Sequence, residues 1–295
     1  MAEATDTVSW REMLATTVQQ LGNAQEARWL CEHASGMDAS EFSAEQDQLV
    51  TVACAKSLHS MVRDRLSGVP LQYVMKRWAF RHLDVMVDER VLIPRPETEQ
   101  VVQTALDIAV DIAEKNERKS ALRVVDLGTG SGVIGLSMAF ELGVDAAHVW
   151  LTDASVDALD VARANMVGIG RAAANVRVAH GSWWNALPQD IAGQIDIAIC
   201  NPPYIAHSNS EVAPDVHLYE PHTALYAHDN GLADLRTVIE GAATWLKKSG
   251  WLVLEIGYQQ GTDVLAMMTE SGLIDAAIKK DLSGRDRIAV GRLPG

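Results

Sequence analysis

The chain has 295 residues, 48% of them hydrophobic, with 25 Lys and Arg against 39 Asp and Glu and a formal net charge of −14. That apolar fraction excludes a disordered chain, and the length is enough for well-buried cores in one large domain or two smaller ones. The sign of the charge disfavours stable binding along a nucleic-acid backbone, which needs clustered Lys and Arg; only a local basic groove stays compatible.

Cys31, Cys54 and Cys200 are odd in number and widely spaced, so neither a disulfide framework nor a zinc ribbon is readable, and a reducing cytoplasm is the expected home. The segment Met1-Ala2-Glu3-Ala4-Thr5-Asp6 is acidic where a secretory signal is basic, and no apolar run approaches the roughly 18 residues of a spanning helix. No membrane association is expected.

Residues 1–72 predict a helical bundle of four or five helices. Ser9 and Glu12 form a capping box ahead of Leu14, Val18 and Leu21, and Gly22 ends that helix. Ser43 and Gln46 repeat the signal before Leu49, Val52 and Ala53, and Val62 and Leu66 carry the apolar stripe toward Gly68 and Pro70. Over 73–97 the pattern turns aromatic and β-branched (Tyr73, Val74, Trp78, Phe80, then Leu83, Val85 and Val87), which predicts a β-hairpin connector. Charge is uneven along the chain: five basic against ten acidic residues over 1–75, five against five over 76–100, and fifteen against twenty-four beyond.

The remainder, 98–295, predicts an α/β domain. Apolar runs at 122–126, 149–153, 176–179, 195–200 and 251–255 alternate with helical stretches, the pattern of a parallel sheet. The last two runs, 276–279 and 287–290, are joined by a loop too short for a helical crossover and should pair antiparallel. Five parallel strands plus an antiparallel hairpin resembles the seven-stranded, Rossmann-like methyltransferase fold.

Val124-Val125-Asp126-Leu127-Gly128-Thr129-Gly130-Ser131-Gly132 leaves the first of these strands and enters a helix, so side-chain-free backbone faces the carboxyl edge of the sheet, where open α/β proteins bind ligands. Asp153, ending the second strand, is placed to accept hydrogen bonds from ribose hydroxyls. Since Gly130-x-Gly132-x-x-Gly135 also satisfies the dinucleotide fingerprint, these residues say nucleoside without saying which.

Asn201-Pro202-Pro203-Tyr204, after the fourth strand, separates the two. The prolines make the segment stiff, so the Asn201 side-chain oxygen and the Pro202 carbonyl form two fixed acceptors facing one point. They suit an NH2 group on a planar system, whose nitrogen is a poor nucleophile until its hydrogens are drawn aside and its lone pair is freed for a methyl. Tyr204 would supply a flat face for the planar group. Asn201, Pro202 and Tyr204 are the expected catalytic residues, with Pro203 completing the substrate clamp.

Taken together, Asp126 to Gly132 and Asn201 to Tyr204 resemble the class I amino-methyltransferases. Ile93-Pro94-Arg95-Pro96-Glu97-Thr98-Glu99, Glu220-Pro221-x-Thr223-Ala224-Leu225, Glu255-Ile256-Gly257 and Gly284-Arg285-Asp286-Arg287 narrow the similarity to the bacterial peptide chain release factor N5-glutamine methyltransferase family, also called HemK. The resemblance implies S-adenosyl-L-methionine as methyl donor, with S-adenosyl-L-homocysteine as product. It implies Gly128, Thr129, Gly130, Ser131 and Gly132 around the methionine part, Asp153 on the ribose, Trp183 flanking the adenine, and Asn201, beside the donor, clamping with Pro202, Pro203 and Tyr204 the glutamine of the Gly-Gly-Gln motif in class 1 release factors. The helical domain would help dock that protein, with the enzyme a monomer.

Two positions depart from the family: Ser182 stands where an acid is usual, and Lys76 where glycine is common. Arg95, Glu97 and Glu99 either line the donor entrance or fasten the connector, and the stretch from Glu211 to Glu220 reads as a substrate rim. Lys76, Arg77 and Arg81 are the expected contacts for an acidic partner. His207, His217, His222 and His228 lie close in sequence without metal-ligand spacing, so no metal is expected. Alternatives are a glutamine methyltransferase acting on a ribosomal protein, an adenine-N6 nucleic-acid methyltransferase, a nicotinamide-dependent oxidoreductase and a non-catalytic module of the same fold.

Overall fold

In the computed structural model, which describes residues 7–116, 120–208 and 213–295, the chain divides into two compact units, one ending at Lys76 and the other running from Arg77 to Gly295. The first holds α1 (Trp10–Leu21), α2 (Ala24–Ser35), α3 (Ala39–Ala44), α4 (Val52–Leu66) and α5 (Leu71–Met75). The Ser9–Glu12 box is formed: the Ser9 hydroxyl accepts from the Glu12 N–H at 3.3 Å and the Glu12 carboxylate accepts from the Ser9 N–H at 2.9 Å. Such a cap contributes about 1 kcal/mol. Trp10, Leu30, Phe42 and Leu58 make the core of this unit, Trp10 and Phe42 meeting edge to face at 5.7 Å.

Two expectations change here. Ser43 lies inside α3, where its hydroxyl bonds back to the Ala39 carbonyl at 2.6 Å, and Thr51 caps α4 instead. Tyr73 and Val74 belong to α5 rather than to the hairpin. Both their N–H groups reach the Pro70 carbonyl at 3.0 Å, and this local turn overrides the strand preference of the residue types.

The second unit begins with the hairpin of β1 (Arg77–Phe80) and β2 (Leu83–Met86), and α6 (Pro96–Asn116) follows. Its sheet contains β3 (Leu122–Leu127), β4 (Ala147–Asp153), β5 (Val176–His180), β6 (Ile195–Cys200), β9 (Leu246–Glu255), β10 (Ile274–Lys280) and β11 (Asp286–Arg292), in the order β10-β11-β9-β6-β3-β4-β5. The five strands β5, β4, β3, β6 and β9 are parallel, and β11 runs antiparallel between β9 and β10. This is the expected sheet of five parallel strands and a reversed hairpin. Strands covered on both faces read as apolar runs, and all six residues of β6 are buried, including Asp196, which accepts from the Arg123 N–H at 2.9 Å and from Lys247 Nζ at 3.3 Å. Replacing Ile197 or Leu151, both fully buried, by Ala would cost about 2–5 kcal/mol.

Helices α7 (Val133–Leu142) and α8 (Val156–Gly168) follow β3 and β4. Between β6 and β9 the chain passes through β7 (Ile205–Ala206), α9 (Pro214–Tyr219), α10 (His222–Leu225), β8 (Tyr226–Ala227), α11 (His228–Gly231) and α12 (Ala233–Trp245), with β7 and β8 paired in parallel. The expected rim from Glu211 lies partly outside the described residues. Helix α13 (Gly261–Glu270) connects β9 to β10. Among the described residues no helix is long and apolar enough to cross a membrane.

Candidate active site

Strand register brings the expected residues to one edge. Leu127 of β3 pairs with Cys200 of β6 on one side and Thr152 of β4 on the other, and Cys200 pairs in turn with Leu254 of β9. The next position along each chain comes to the same level, so Glu255 and Asp153, the last residues of β9 and β4, and Asn201 and Gly128, the first beyond β6 and β3, stand side by side at the carboxyl edge of the sheet. Between β3 and β6 the chain reverses its direction of travel across the sheet, the switch point where open α/β sheets bind ligands.

A cleft of about 590 Å³ opens there, within the range of small-molecule sites. Gly128, Thr129, Gly130, Ser131, Asp153, Trp183, Asn201 and Pro203 line it; Gly132, Pro202 and Tyr204 do not form its wall. Gly130 has φ of +53° with open space where a Cβ would stand, and a Cβ on Gly128 would approach the Trp183 ring at 3.0 Å. The Gly130 N–H donates to Asp153 Oδ2 at 2.9 Å and the Ser155 N–H to Oδ1 at 2.8 Å, and the Ala154 N–H also bonds the carboxylate, so one of its four acceptor sites stays free. Burial raises the Asp153 pKa against these bonds.

Beneath the loop, Asp126 Oδ2 accepts from the Thr129 hydroxyl at 2.5 Å and the Gly135 N–H at 2.9 Å, while Oδ1 is buried without a partner. Desolvation pushes the Asp126 carboxyl up to about 7.

Asn201 is tied to residues that its own motif does not contain. Its Nδ2 lies 3.5 Å from the Thr98 hydroxyl, which donates to Glu255 Oε2 at 2.6 Å. The Tyr204 hydroxyl donates to Glu255 Oε1 at 3.2 Å and receives Arg287 Nη1 at 3.4 Å. Gln260 holds the Tyr204 carbonyl at 3.0 Å. Tyr204 is thus fastened at both ends, and burial raises its phenol pKa as it raises that of Glu255. The motif segments containing Thr98, Glu255 and Arg287 were visible in the sequence, but no role for these residues was; the signal was a carboxylate closing an apolar run.

At the rim, Glu220 forms an ion pair with Arg95 and accepts from the Ile93 N–H at 3.1 Å, fastening the segment before α6 to the one after α9. Arg95 also lines the cleft; Glu97 and Glu99 lie in a second groove, where Glu99 fastens the hairpin by accepting from the Arg81 N–H at 3.1 Å. Of the paired tryptophans, Trp183 faces the cleft beside Asp234. Trp184 is in the core, stacked on Trp245 at 6.2 Å and donating to the Val238 carbonyl at 2.9 Å. Sequence reasoning missed Asp234, whose carboxyl is raised by burial against a hydrogen bond from Trp183.

Arg81, expected on a docking surface, turns inward to Glu141 at 2.6 and 2.7 Å and is almost buried, and Arg77 pairs with Asp84. His207 stacks on Tyr226 at 5.4 Å and His217 on His222 at 4.8 Å.

Residues 102–218 match the Methyltransferase small domain, and residues 12–75 match the PrmC N-terminal domain. A relative from Xylella fastidiosa (strain Temecula1), named release factor glutamine methyltransferase, is 36% identical over 283 residues, spanning 96% of this chain and 98% of its own length. A protein of the same name from Burkholderia pseudomallei is 35% identical over 276 residues, spanning 92% and 93%. Among solved structures, the N-terminal domain of human METTL16 in complex with SAH matches with a TM-score of 0.53 at 13% identity, over 89% of this chain and 93% of that one. A methyltransferase from Pyrococcus furiosus matches at 0.51 and 16% identity, over 74% and 92%. These two likenesses show a methyltransferase fold.

Proposed function

This chain belongs to the release factor glutamine methyltransferase family, and we propose that it transfers the methyl group of S-adenosyl-L-methionine to the side-chain amide nitrogen of the glutamine in the Gly-Gly-Gln motif of class 1 release factors. The observation that carries the reading is the common cleft: Asn201 and Pro203 of the acceptor clamp line the same space as the glycine loop and Asp153.

The residues present fit the donor. Gly128 and Gly130 leave backbone bare along the cleft, Asp153 keeps an acceptor site for a ribose hydroxyl, and the Trp183 ring lies against Gly128 as an apolar wall. When bound, S-adenosylmethionine supplies an electrophilic methyl on a sulfonium.

Asn201 and the Pro202 carbonyl accept the two amide hydrogens of the glutamine. Positive charge gathers on that nitrogen as the N–C bond forms and the C–S bond breaks, so these oxygens hold the transition state more tightly than the ground state. The nitrogen then loses one proton to water. Incubation with methyl-labelled donor and a class 1 release factor is expected to label the protein, and a release factor with that glutamine replaced should stay unlabelled. Equal labelling of both would overturn the assignment.

A further inference from the structure

A side-chain amide has two ends of nearly the same shape, so hydrogen-bond partners, not shape, decide which end Asn201 turns to the cleft. Those partners form a chain whose polarity is set from its far end. Arg287 can only donate, so with Nη1 at 3.4 Å the Tyr204 oxygen accepts, and the phenol proton goes to Glu255 Oε1 at 3.2 Å. Glu255 Oε2 takes the proton of the Thr98 hydroxyl at 2.6 Å. With that proton committed, Thr98 can offer Asn201 only a lone pair, and Asn201 meets it with Nδ2 at 3.5 Å. Hydrogen bonds of this length in a free enzyme tighten in the reactive complex.

We propose that Thr98 and Glu255 are positioning residues that fix the Asn201 amide with its nitrogen toward Thr98 and its carbonyl oxygen toward the cleft, the orientation an acceptor of the substrate NH2 requires. The inference rests on the glutamine-methylation reading. Both residues are placed for it. Glu255 ends β9 level with Asn201, and Thr98 sits in the first turn of α6, behind Pro96 at the first helical position. They are 1% and 3% exposed, so water does not compete for Asn201 from their side. Packing alone gives no reason for a carboxylate at the end of an apolar strand, where its burial is costly.

The chain also predicts what an isosteric change does. In Glu255→Gln, Tyr204 still donates to Oε1, so the new NH2 group faces Thr98. The Thr98 hydroxyl must then accept from Gln and donate onward to Asn201, drawing the carbonyl oxygen off the cleft. Thr98→Val removes the link altogether, and Thr98→Ser keeps it.

The test uses the full-length chain, with methyl-labelled S-adenosylmethionine and an intact release factor as substrates. A wild-type protein that labels nothing overturns the methylation reading itself. Given wild-type transfer, Glu255→Gln and Thr98→Val are expected to lower kcat about tenfold or more, the effect of misplacing roughly one hydrogen bond. KM and the donor-induced rise in Tm should stay near wild type, and Thr98→Ser should retain most of the rate. Because Thr98→Val abolishes the inverted relay, adding it to Glu255→Gln should cost nothing further. Wild-type kcat in Glu255→Gln overturns the proposal, as does a loss in Thr98→Ser equal to that in Thr98→Val.

Discussion

At the scale of single residues, two groups at the sheet edge make opposite demands. In the proposed transfer Asn201 presents an oxygen to the cleft, and Asn201→Ala removes it while leaving the glycine loop and Asp153 in place. A drop in kcat of about 10²–10³-fold is expected, the usual cost of one transition-state hydrogen-bond partner, with the donor-induced Tm shift retained. Steady-state kinetics beside a melting curve distinguish this from misfolding. Asp126 instead supports the loop from below, with one oxygen doubly hydrogen-bonded and the other orphaned. Its carboxyl is raised from 3.8 to about 7 in the folded chain, so the folded state holds more protons than the unfolded one between those values. By linkage its contribution to stability is greatest at low pH, falls as pH rises through that interval and is level above it. Tm measured against pH should show this component in the wild type and lose it in Asp126→Asn; an unchanged slope would show that Asp126 does not titrate there.

At the scale of elements, the site depends on segments that cross beneath the Asn-Pro-Pro-Tyr turn. Gly231, with φ of +87° at the end of α11, packs against the Tyr204 carbonyl; a Cβ there would meet that oxygen and lie 2.9 Å from Gln260 Nε2. Gly231→Ala is expected to destabilise by about 1–3 kcal/mol and to lower kcat by displacing Tyr204. Gly193→Ala, at φ of +69° in open space, should cost about 1–2 kcal/mol in backbone strain and leave kcat unchanged. Denaturant melts and rates of the two variants check the pair. Much of this level was legible in the sequence. β6 is apolar at every position but Asp196 because both its faces are covered, and the glycine loop and Asn201 are marked by spacing within a few residues. The links between elements were not. Thr98 meets Glu255 across 157 positions and Asn201 across 103, and the partner that withdraws Arg81 from the surface is 60 residues away. Local pattern carries no record of such pairings. Where local signals competed, as at Tyr73, a turn begun by Pro70 outweighed the strand preference of an aromatic residue.

At the scale of the whole molecule, two units with separate cores serve one chain of net charge −14. That charge set nucleic acid aside at the outset, and of the three basic residues expected to meet an acidic partner Arg81 is consumed internally, while Lys76 and Arg77 stay exposed. The family is carried by both units, as the matches over residues 12–75 and 102–218 indicate. Donor binding should therefore be a property that discriminates among cofactors. S-adenosylmethionine at about 100 times its Kd is expected to stabilise the protein by ~2.7 kcal/mol, and NADH at the same concentration not at all. A Tm shift with NADH alone would favour a dinucleotide in the glycine loop. In the proposed reaction Asn201 directs a methyl group onto the amide of a single glutamine. Mass spectrometry of a class 1 release factor after incubation with the donor and either wild type or Asn201→Ala tests it most directly. One added methyl on the Gly-Gly-Gln glutamine is expected with the wild type and little or none with the variant; a methyl on another residue, or equal modification by both proteins, would overturn this role of Asn201.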